Sequence, residues 1–297
     1  MIRREIPRVL LEHLQAIEPG AKFTGNLPKI RSSSGNLYFV KSGSPVEKEQ
    51  YNGEVESLKA IEAAAPGLAP HVLSYGTDSG DKPYFISEYK DLGRITDSTG
   101  KVLATRLAEE LHVYQSAYGF GFHVPTYCGA TRLRNGWFKS WEECFGAMIG
   151  DLLDQLAMKR SYGELCDLGQ RVRKSVIPEL LGPLNIRPVL LHGDLWSGNV
   201  GVDLSTKQPI IFDPASFFGH NEADLAIARI FGGFPSSFFT TYHALHPKSD
   251  PVDQYTLRGD LYELFHYLNH TLLFGGSYAD SARRKMVRLL EAKRVEE

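Results

Sequence analysis

The sequence of 297 residues has few cysteines, little excess charge and no long apolar run. Its three cysteines are odd in number and fit no metal-ligand spacing, so we expect reduced thiols and a cytoplasmic protein. A formal net charge of -2 favours neither nucleic acid nor an anionic membrane as a partner. No apolar run approaches the roughly 20 residues that cross a bilayer. Residues 1–14 carry charges within their apolar stripe and lack a small-residue cleavage site, unlike a secretory signal.

The first 90 residues have the pattern of a small antiparallel sheet with a helix beside it. Strands are predicted within residues 27–41 and in the segments HVLSYG and PYFISEY, and helices over residues 6–17 and 48–65. Pro66 and Gly67 then end the second helix. The chain is long enough for a second, larger lobe after this small one.

From residue 101 the pattern is mainly helical, with one strand-rich interruption at 186–213. A small mixed lobe followed by a larger helical one is the outline of an α+β, protein-kinase-like bilobal fold. We therefore predict a nucleotide-binding N-lobe over residues 1–90, with a small antiparallel sheet. A helical C-lobe over residues 91–297 would carry the catalytic loop and the metal site.

The segment LLHGDLWSGNV contains the spacing His192-x-Asp194-x-x-x-x-Asn199, and a predicted strand pair follows it and ends at Asp213. Phosphoryl transfer needs an acceptor hydroxyl held in line with the γ-phosphate, and Mg²⁺ to neutralise phosphate charge. Asp194 can accept the hydroxyl proton, while Asn199 and Asp213 offer the oxygen ligands that Mg²⁺ prefers. Each residue alone is also an ordinary turn former. Their joint occurrence in kinase order favours the catalytic interpretation.

A kinase of this kind also needs a lysine for the nucleotide phosphates and a carboxylate that holds the lysine. Lys41 ends the predicted strand LYFV, and Glu54 lies on the following helix. Glu47, Glu49 and Glu56 are close alternatives to Glu54, and a surface Lys and Glu would be the ordinary interpretation of the pair alone. The downstream motif favours a functional Lys41–Glu54 pair.

No GxGxxG phosphate loop occurs in the sequence. Only Gly25 and the turn at residues 32–35 offer flexible backbone near the first strands, and either could cover the phosphates with backbone N–H groups. The residues leave this choice open.

At this point the chain resembles the fructosamine-3-kinase (ketosamine-3-kinase) family of aminoglycoside-phosphotransferase-like kinases. The resemblance depends on three segments, HGDLWSGN, FDPASFFGHNEADLAIARIFGGF and LYELFHYLNHTLLFG. It implies ATP-dependent phosphorylation of the sugar O3 of ketosamines, the ribulosamine or fructosamine adducts of proteins or amines. In such enzymes the phosphate makes the adduct unstable, so the activity amounts to deglycation repair.

The resemblance also implies roles for individual residues. Asp194 becomes the catalytic base, Asn199 and Asp213 become the Mg²⁺ ligands, and Lys41 becomes the phosphate anchor. The adenine would bind the backbone around Glu88, Tyr89 and Lys90. ATP and Mg²⁺ are thus the expected cofactors.

Three residues are candidates for the acceptor side, namely Trp196, His220 and Glu222. An aromatic face could cover the sugar and the polar pair could bind its hydroxyls, although loop packing and helix capping explain the same residues equally well. His266 and His270 have a spacing that can bind zinc. Their aromatic neighbours favour a structural role instead.

Two other functions remain open from the sequence. One is a small-molecule kinase of the aminoglycoside or choline type, and the other is a nucleotide-binding pseudokinase without turnover. The intact set of Lys41, Asp194, Asn199 and Asp213 argues against the second. The preferred sugar and amine, and the oligomeric state, carry no signal in the residues.

Overall fold

The computed structural model describes residues 6–296, so the first five residues of the N-terminal stretch considered above and Glu297 lie outside it. An antiparallel sheet of five strands dominates the N-terminal part. The strands are β1 (Phe23–Asn26), β2 (Lys29–Ser32), β3 (Leu37–Ser42), β4 (Val72–Thr77) and β5 (Pro83–Glu88). Their order, β1-β2-β3-β5-β4, places β3 at the centre. The predicted strands are confirmed, and β1 is an additional one.

Two helices cover the two faces of this sheet, α1 (Arg8–Ile17) and α2 (Lys48–Ala64). Successive side chains of a strand point to opposite faces, so β3 serves both helices. Its Val40 joins a small cluster with Leu14 of α1. Phe39 packs against the other cluster, which contains the buried side of α2. Lys41 therefore points to the α2 face, where the cleft lies.

Eight α-helices follow in the C-terminal part of residues 6–296. They are α3 (Asp97–Glu109), α4 (Trp141–Ala157), α5 (Gly163–Arg171), α6 (Ile177–Leu181), α7 (Asn221–Phe231), α8 (Ser236–Leu245), α9 (Tyr255–Phe274) and α10 (Ser277–Glu296). Helix α9 packs against α4, α7 and α10. It is the central helix, with most of its length buried. Among residues 6–296, no helix combines the length and the apolar composition needed to cross a membrane.

Short strands complete the C-terminal part. They are β6 (Leu92–Gly93), β7 (Phe120–Phe122), β8 (Thr126–Cys128), β9 (Thr131–Leu133), β10 (Gly136–Phe138), β11 (Val189–Leu191), β12 (Val200–Asp203), β13 (Pro209–Ile211) and β14 (Phe217–Gly219). The helical expectation was wrong for 120–138. Gly121 has φ +120° there, and a Cβ on it would lie 1.7 Å from the carbonyl oxygen of Gly136, so the chain needs glycine and cannot continue a helix.

The connection between the two parts runs from Glu88, where β5 ends, to Leu92, where β6 begins. A five-stranded sheet with α1 and α2 precedes it, and a larger, mainly helical part follows it. The α+β arrangement predicted from the sequence is confirmed. We keep residue 90 as the proposed boundary between the two lobes.

Candidate active site

The loop that follows β11 holds Asp194 in a fixed backbone conformation. The carboxylate of Asp224 on α7 accepts hydrogen bonds from the backbone N–H groups of His192 and Gly193, at 2.7 and 2.8 Å. Gly193 has φ +82°, and a Cβ there would lie 2.1 Å from the carbonyl oxygen of Ala215. Only glycine fits this position, so Gly193 is a structural requirement of the loop.

His192 also connects this loop to the next one. Its Nδ1 accepts a hydrogen bond from the backbone N–H of Asp194 at 3.2 Å, and its Nε2 lies 3.0 Å from the carbonyl oxygen of Phe212. These contacts fit a neutral ring with the proton on Nε2. Burial lowers the pKa of His192 below its ordinary value. The ring therefore orients backbone, as the sequence suggested.

Asn199 lies directly beside Asp194. Its Nδ2 donates to the backbone carbonyl oxygen and to Oδ2 of Asp194, at 3.0 and 3.2 Å. This fixes the orientation of the amide and leaves its carbonyl oxygen for another partner. Burial raises the pKa of Asp194 to about 6, against the opposing hydrogen bonds from Cys128 and Asn199. Asp194 thus has the raised basicity that suits a general base.

Asp213 follows the hairpin of β12 and β13, which pair from Val200 with Ile211 onward. The backbone N–H of Phe212 donates to the backbone carbonyl oxygen of Asn199 at 3.0 Å, so the hairpin brings the two predicted metal ligands together. Asp213 itself has φ +52°, a left-handed conformation that is uncommon outside glycine. Strain of this kind is concentrated at functional sites.

Lys41 and Glu54 form the ion pair that the sequence predicted, with Nζ and Oε2 separated by 2.7 Å. The three alternative glutamates have other partners: Glu47 binds Ser44, Glu49 binds Tyr127 and Arg132, and Glu56 binds Lys59. Burial raises the pKa of Glu54 to about 7, and the neighbouring Asp213 adds to the rise against the opposing charge of Lys41. Glu54 and Asp213 therefore lie close together beside one lysine.

A cavity of about 340 Å³ lies between the two parts. Its lining includes Glu54, Asp213 and the segment from Ser87 to Lys90, with Phe39 and Leu58 among its apolar walls. A larger groove of about 620 Å³, between α2, β4 and β5, contains none of the predicted site residues. The smaller cavity is the candidate nucleotide site because Glu54, Asp213 and the predicted adenine segment all line it.

The predicted adenine segment contributes unequally. The backbone N–H of Glu88 donates to the backbone carbonyl oxygen of His71 at 3.1 Å, and that of Tyr89 donates to the backbone carbonyl oxygen of Leu37 at 3.2 Å. The Lys90 side chain pairs with Glu88 and Asp203. Because the N–H groups of Glu88 and Tyr89 already have partners, the backbone N–H of Lys90 is the favoured donor to adenine among the three.

The lining of the cavity also distinguishes between the two candidates for the phosphate-covering loop. Pro28, in the turn between β1 and β2, lines the cavity. The turn at residues 32–35 does not, and Ser32 and Asn36 at its ends donate instead to Glu18. Of the two candidates, only the β1–β2 hairpin, which contains Gly25, reaches the cleft.

The acceptor-side candidates differ in their surroundings. Trp196 is 37% exposed, and its ring contacts that of Phe231 edge-on, with centroids 5.8 Å apart. His220 is buried, with its ring nitrogens against the hydroxyls of Tyr262 and Ser249 at 2.7 and 2.8 Å. The structure therefore corrects the expectation for His220, since neither nitrogen is open to a substrate.

Glu222 needs the same correction. Its carboxylate is buried, accepts hydrogen bonds from Arg258 at 2.8 and 3.0 Å, and also accepts the backbone N–H of Ser249. All of these partners are protein groups. A sugar hydroxyl could reach Glu222 only by breaking a buried ion pair, so the residue is structural.

Sequence reasoning missed Asp224, Cys128 and His266, which surround Asp194 from three other elements. Asp224 fixes the loop backbone, and its Oδ2 lies 3.2 Å from Nε2 of the buried His112. The one available signal for it was an acidic residue inside the apolar run ADLAIA. Cys128 and His266 carried no local signal for a position beside the loop.

The donor atoms fit a hard cation. An amide oxygen of Asn199 and a carboxylate of Asp213 are both oxygen ligands, and the hairpin places them in adjacent loops. Glu54 contributes a further carboxyl group to the lining of the same cavity. These residues would hold Mg²⁺ beside the nucleotide phosphates.

Replacing Asp213 with asparagine tests this assignment. We expect the affinity for Mg-ATP to fall about 10-fold or more, because the substitution removes the charged ligand. Isothermal titration with ATP at several Mg²⁺ concentrations measures the effect. Asp91→Asn, which alters an exposed ion pair with Lys29, is the control and should match the wild type. Equal affinities for the two variants would remove Asp213 from the metal site.

The chain is similar to known proteins over most of its length. The sequence profile of one family, described as Fructosamine kinase, matches residues 22–292. Ketosamine-3-kinase of Mus musculus is 37% identical over 270 residues, covering 82% of this chain and 85% of that protein. A structure from Thermobifida fusca, assigned as a fructosamine-3-kinase, superposes with a TM-score of 0.79 at 23% identity, over 96% of this chain and all of the other.

The aminoglycoside phosphotransferase APH(4)-Ia was solved in a ternary complex with AMP-PNP and hygromycin B. It superposes with a TM-score of 0.55 at 16% identity and covers 97% of this chain and 98% of its own. At this identity the likeness concerns the fold alone. The protein-kinase-like bilobal fold predicted from the sequence is confirmed.

Proposed function

The chain belongs to the fructosamine kinase family, and we propose that it is an ATP-dependent kinase that phosphorylates O3 of the sugar of ketosamines. One observation supports the site assignment: Asp194 is hydrogen-bonded to Asn199, whose loop joins that of Asp213, and Asp213 lines the same cavity as Glu54, the partner of Lys41. The proposed base, metal ligands and phosphate anchor are thus connected, directly or through one neighbour, to residues that line one cleft.

In the proposed reaction, Lys41 binds the α- and β-phosphates and Glu54 holds its ammonium group in place. The backbone N–H of Lys90 donates to adenine. Asp194 accepts the proton of the O3 hydroxyl while the oxygen attacks the γ-phosphorus and the bond to ADP breaks. Asn199 orients the Asp194 carboxylate through its Nδ2, and with Asp213 it holds Mg²⁺. When bound, Mg²⁺ neutralises charge on the phosphate oxygens.

The product explains the proposed repair role. A phosphate on O3 lies next to the C2 carbonyl of the ketosamine and is a better leaving group than the original hydroxyl. The phosphorylated adduct would therefore decompose and release the free amine. Ribulosamine and fructosamine adducts of proteins or small amines are the proposed substrates, and the cytoplasmic location predicted from the sequence stays a prediction.

Phosphate transfer to defined acceptors tests the function. We expect turnover with ribulosyl- and fructosyl-lysine and none with an aminoglycoside and amino-alcohol panel, and ³¹P NMR should place the new phosphate on O3. Transfer to the second panel alone would favour the small-molecule kinase. Binding of Mg-ATP without single-turnover transfer to any acceptor would instead identify a pseudokinase.

Trp196 is the proposed sugar-side contact, since it is the exposed aromatic residue of the catalytic loop. We expect Trp196→Leu to raise KM for the ketosamine roughly 2- to 10-fold, the worth of one aromatic contact, with KM for ATP unchanged. Trp137→Leu is the matched control, because Trp137 is similarly exposed on β10. Parallel changes in both KM values, or an equal effect of the control, would contradict the assignment.

A further inference from the structure

Three groups that bind metals well converge beside the catalytic loop. The Cys128 thiol, the Asp194 carboxylate and the His266 imidazole each offer one ligand atom, and these atoms lie within 4.8 Å of one another. Cys128 ends β8, Asp194 lies in the loop after β11, and His266 lies on the central helix α9. The cluster is therefore assembled by the fold from three distant segments.

One ring nitrogen of the histidine has no hydrogen-bond partner in the part of the chain that the structure describes. His266 is 5% exposed, and its Nδ1 is buried without a partner among the described residues. A buried polar atom in this state calls for an explanation, and a bound ion is one of the few. His270, the other half of the sequence spacing, is not in the cluster, and its Nδ1 lies 2.8 Å from the carbonyl oxygen of His266.

The cysteine is held in the same place by α9. Cys128 is 1% exposed, and its carbonyl oxygen accepts a hydrogen bond from Nδ2 of Asn269 at 3.2 Å. Asn269 lies three residues after His266 and presents the same side of α9 to β8. Helix α9 thus fixes both the thiol and the imidazole relative to Asp194.

We propose that Cys128, Asp194 and His266 form an inhibitory site for Zn²⁺ or another thiophilic divalent cation. Thiolate, imidazole and carboxylate groups are each zinc ligands, and three protein ligands with water in the fourth position form one type of zinc site. A thiolate and a carboxylate would also balance the two charges of the cation. The set differs from the oxygen ligands of Asn199 and Asp213, so the two sites select different metals.

Occupation of this site would stop turnover without displacing the nucleotide. Asp194 is the partly exposed member, so a cation can enter from the cleft. Tetrahedral coordination requires the widest pair of donor atoms to approach by about 1 Å, which side-chain rotation can supply. Once bound to the cation, the carboxylate could no longer accept a proton from the acceptor hydroxyl. This inhibition rests on the catalytic role proposed for Asp194, whereas binding itself does not.

Co²⁺ provides a test of binding that needs no turnover, because a thiolate-to-cobalt charge-transfer band appears only when a cysteine ligates the metal. With excess Mg²⁺ present, we expect this band in the wild type and in Cys144→Ser, which removes a different buried thiol. The band should vanish in Cys128→Ser. His266→Gln is the second variant and should weaken Co²⁺ binding about 10-fold or more, even if Cys128→Ser does not fold.

Inhibition by Zn²⁺ at saturating Mg-ATP then tests whether occupation of the site stops turnover. The Zn²⁺ concentration for half inhibition should rise about 10-fold or more in Cys128→Ser and His266→Gln, each measured against its own activity, and should not change in Cys144→Ser. A cobalt–thiolate band that persists in Cys128→Ser, or equal Zn²⁺ sensitivity of all variants, would overturn the proposal. If the enzyme proved inactive on ketosamines, the cobalt spectrum would still decide whether the site exists.

Discussion

Asp194→Asn is expected to lower kcat by about 10²- to 10⁴-fold, the usual contribution of a positioned general base. An amide keeps the size of the carboxylate and can still accept the hydrogen bond from Nδ2 of Asn199, so the loop should keep its conformation. It cannot accept a proton from the O3 hydroxyl. The affinity for Mg-ATP should change little, because the proposed ligands of the nucleotide and the metal remain.

Steady-state kinetics with a ribulosamine substrate and titration with Mg-ATP measure the two expectations together. Asp154→Asn is the matched control, since Asp154 is exposed on α4 away from the cleft. Its kcat should equal that of the wild type. A kcat for Asp194→Asn within about 10-fold of the control would show that another group accepts the proton.

Sequence patterns predicted the parts of the site that short segments encode. The interval from Asp194 to Asn199 fits one loop, and the hairpin after Asn199 returns the chain to Asp213, so local geometry alone brings the three together. The Lys41–Glu54 pair followed from the alternation of β3 and the position of α2 after it. In each case the regular geometry of a strand or of a hairpin determines which side chains lie close together.

Contacts between distant segments could not be predicted in this way. Asp224 binds the loop backbone across 32 residues, and Asn269 binds Cys128 across 141. Such pairs depend on how α7 and α9 pack, which no single segment determines. The short strands between 120 and 138 were missed for a related reason, since Gly121 is needed by its close approach to a neighbouring strand and not by a local turn.

Proximity in sequence was also a poor guide to the acceptor side. His220 and Glu222 follow the loop of Asp213 closely, yet α7 begins between them and both side chains are buried in the interior. Their hydrogen-bond partners there, Tyr262 and Arg258, come from α9. A polar residue near a catalytic motif is therefore as easily part of the buried support as part of the substrate site.

Glu222→Ala should consequently destabilise the fold by about 3–5 kcal/mol, because it leaves the guanidinium of Arg258 buried without its counter-charge. Arg258 is fully buried, and after the substitution only the carbonyl oxygens of Ser249 and Pro251 would accept its hydrogen bonds. The melting temperature should fall by on the order of 10 °C. Glu164→Ala is the control, since Glu164 pairs with Arg283 at the surface and should change stability by less than about 1 kcal/mol.

The pH dependence of this loss distinguishes the ion pair from a simple packing defect. Burial alone would raise the pKa of Glu222. The hydrogen bond and the charge of Arg258, together with His220 and the backbone of Ser249, outweigh burial and lower the pKa below its usual 4.5. The ionised carboxylate therefore stabilises the folded state above pH 4.5, and this stabilisation is lost as the pH falls through the lowered pKa. The difference in stability between Glu222→Ala and the wild type should be largest near neutral pH and should shrink in acid. A difference that stays constant with pH would indicate a packing defect in place of a lost ion pair. A variant of wild-type stability with a raised KM for the ketosamine would return Glu222 to the substrate site.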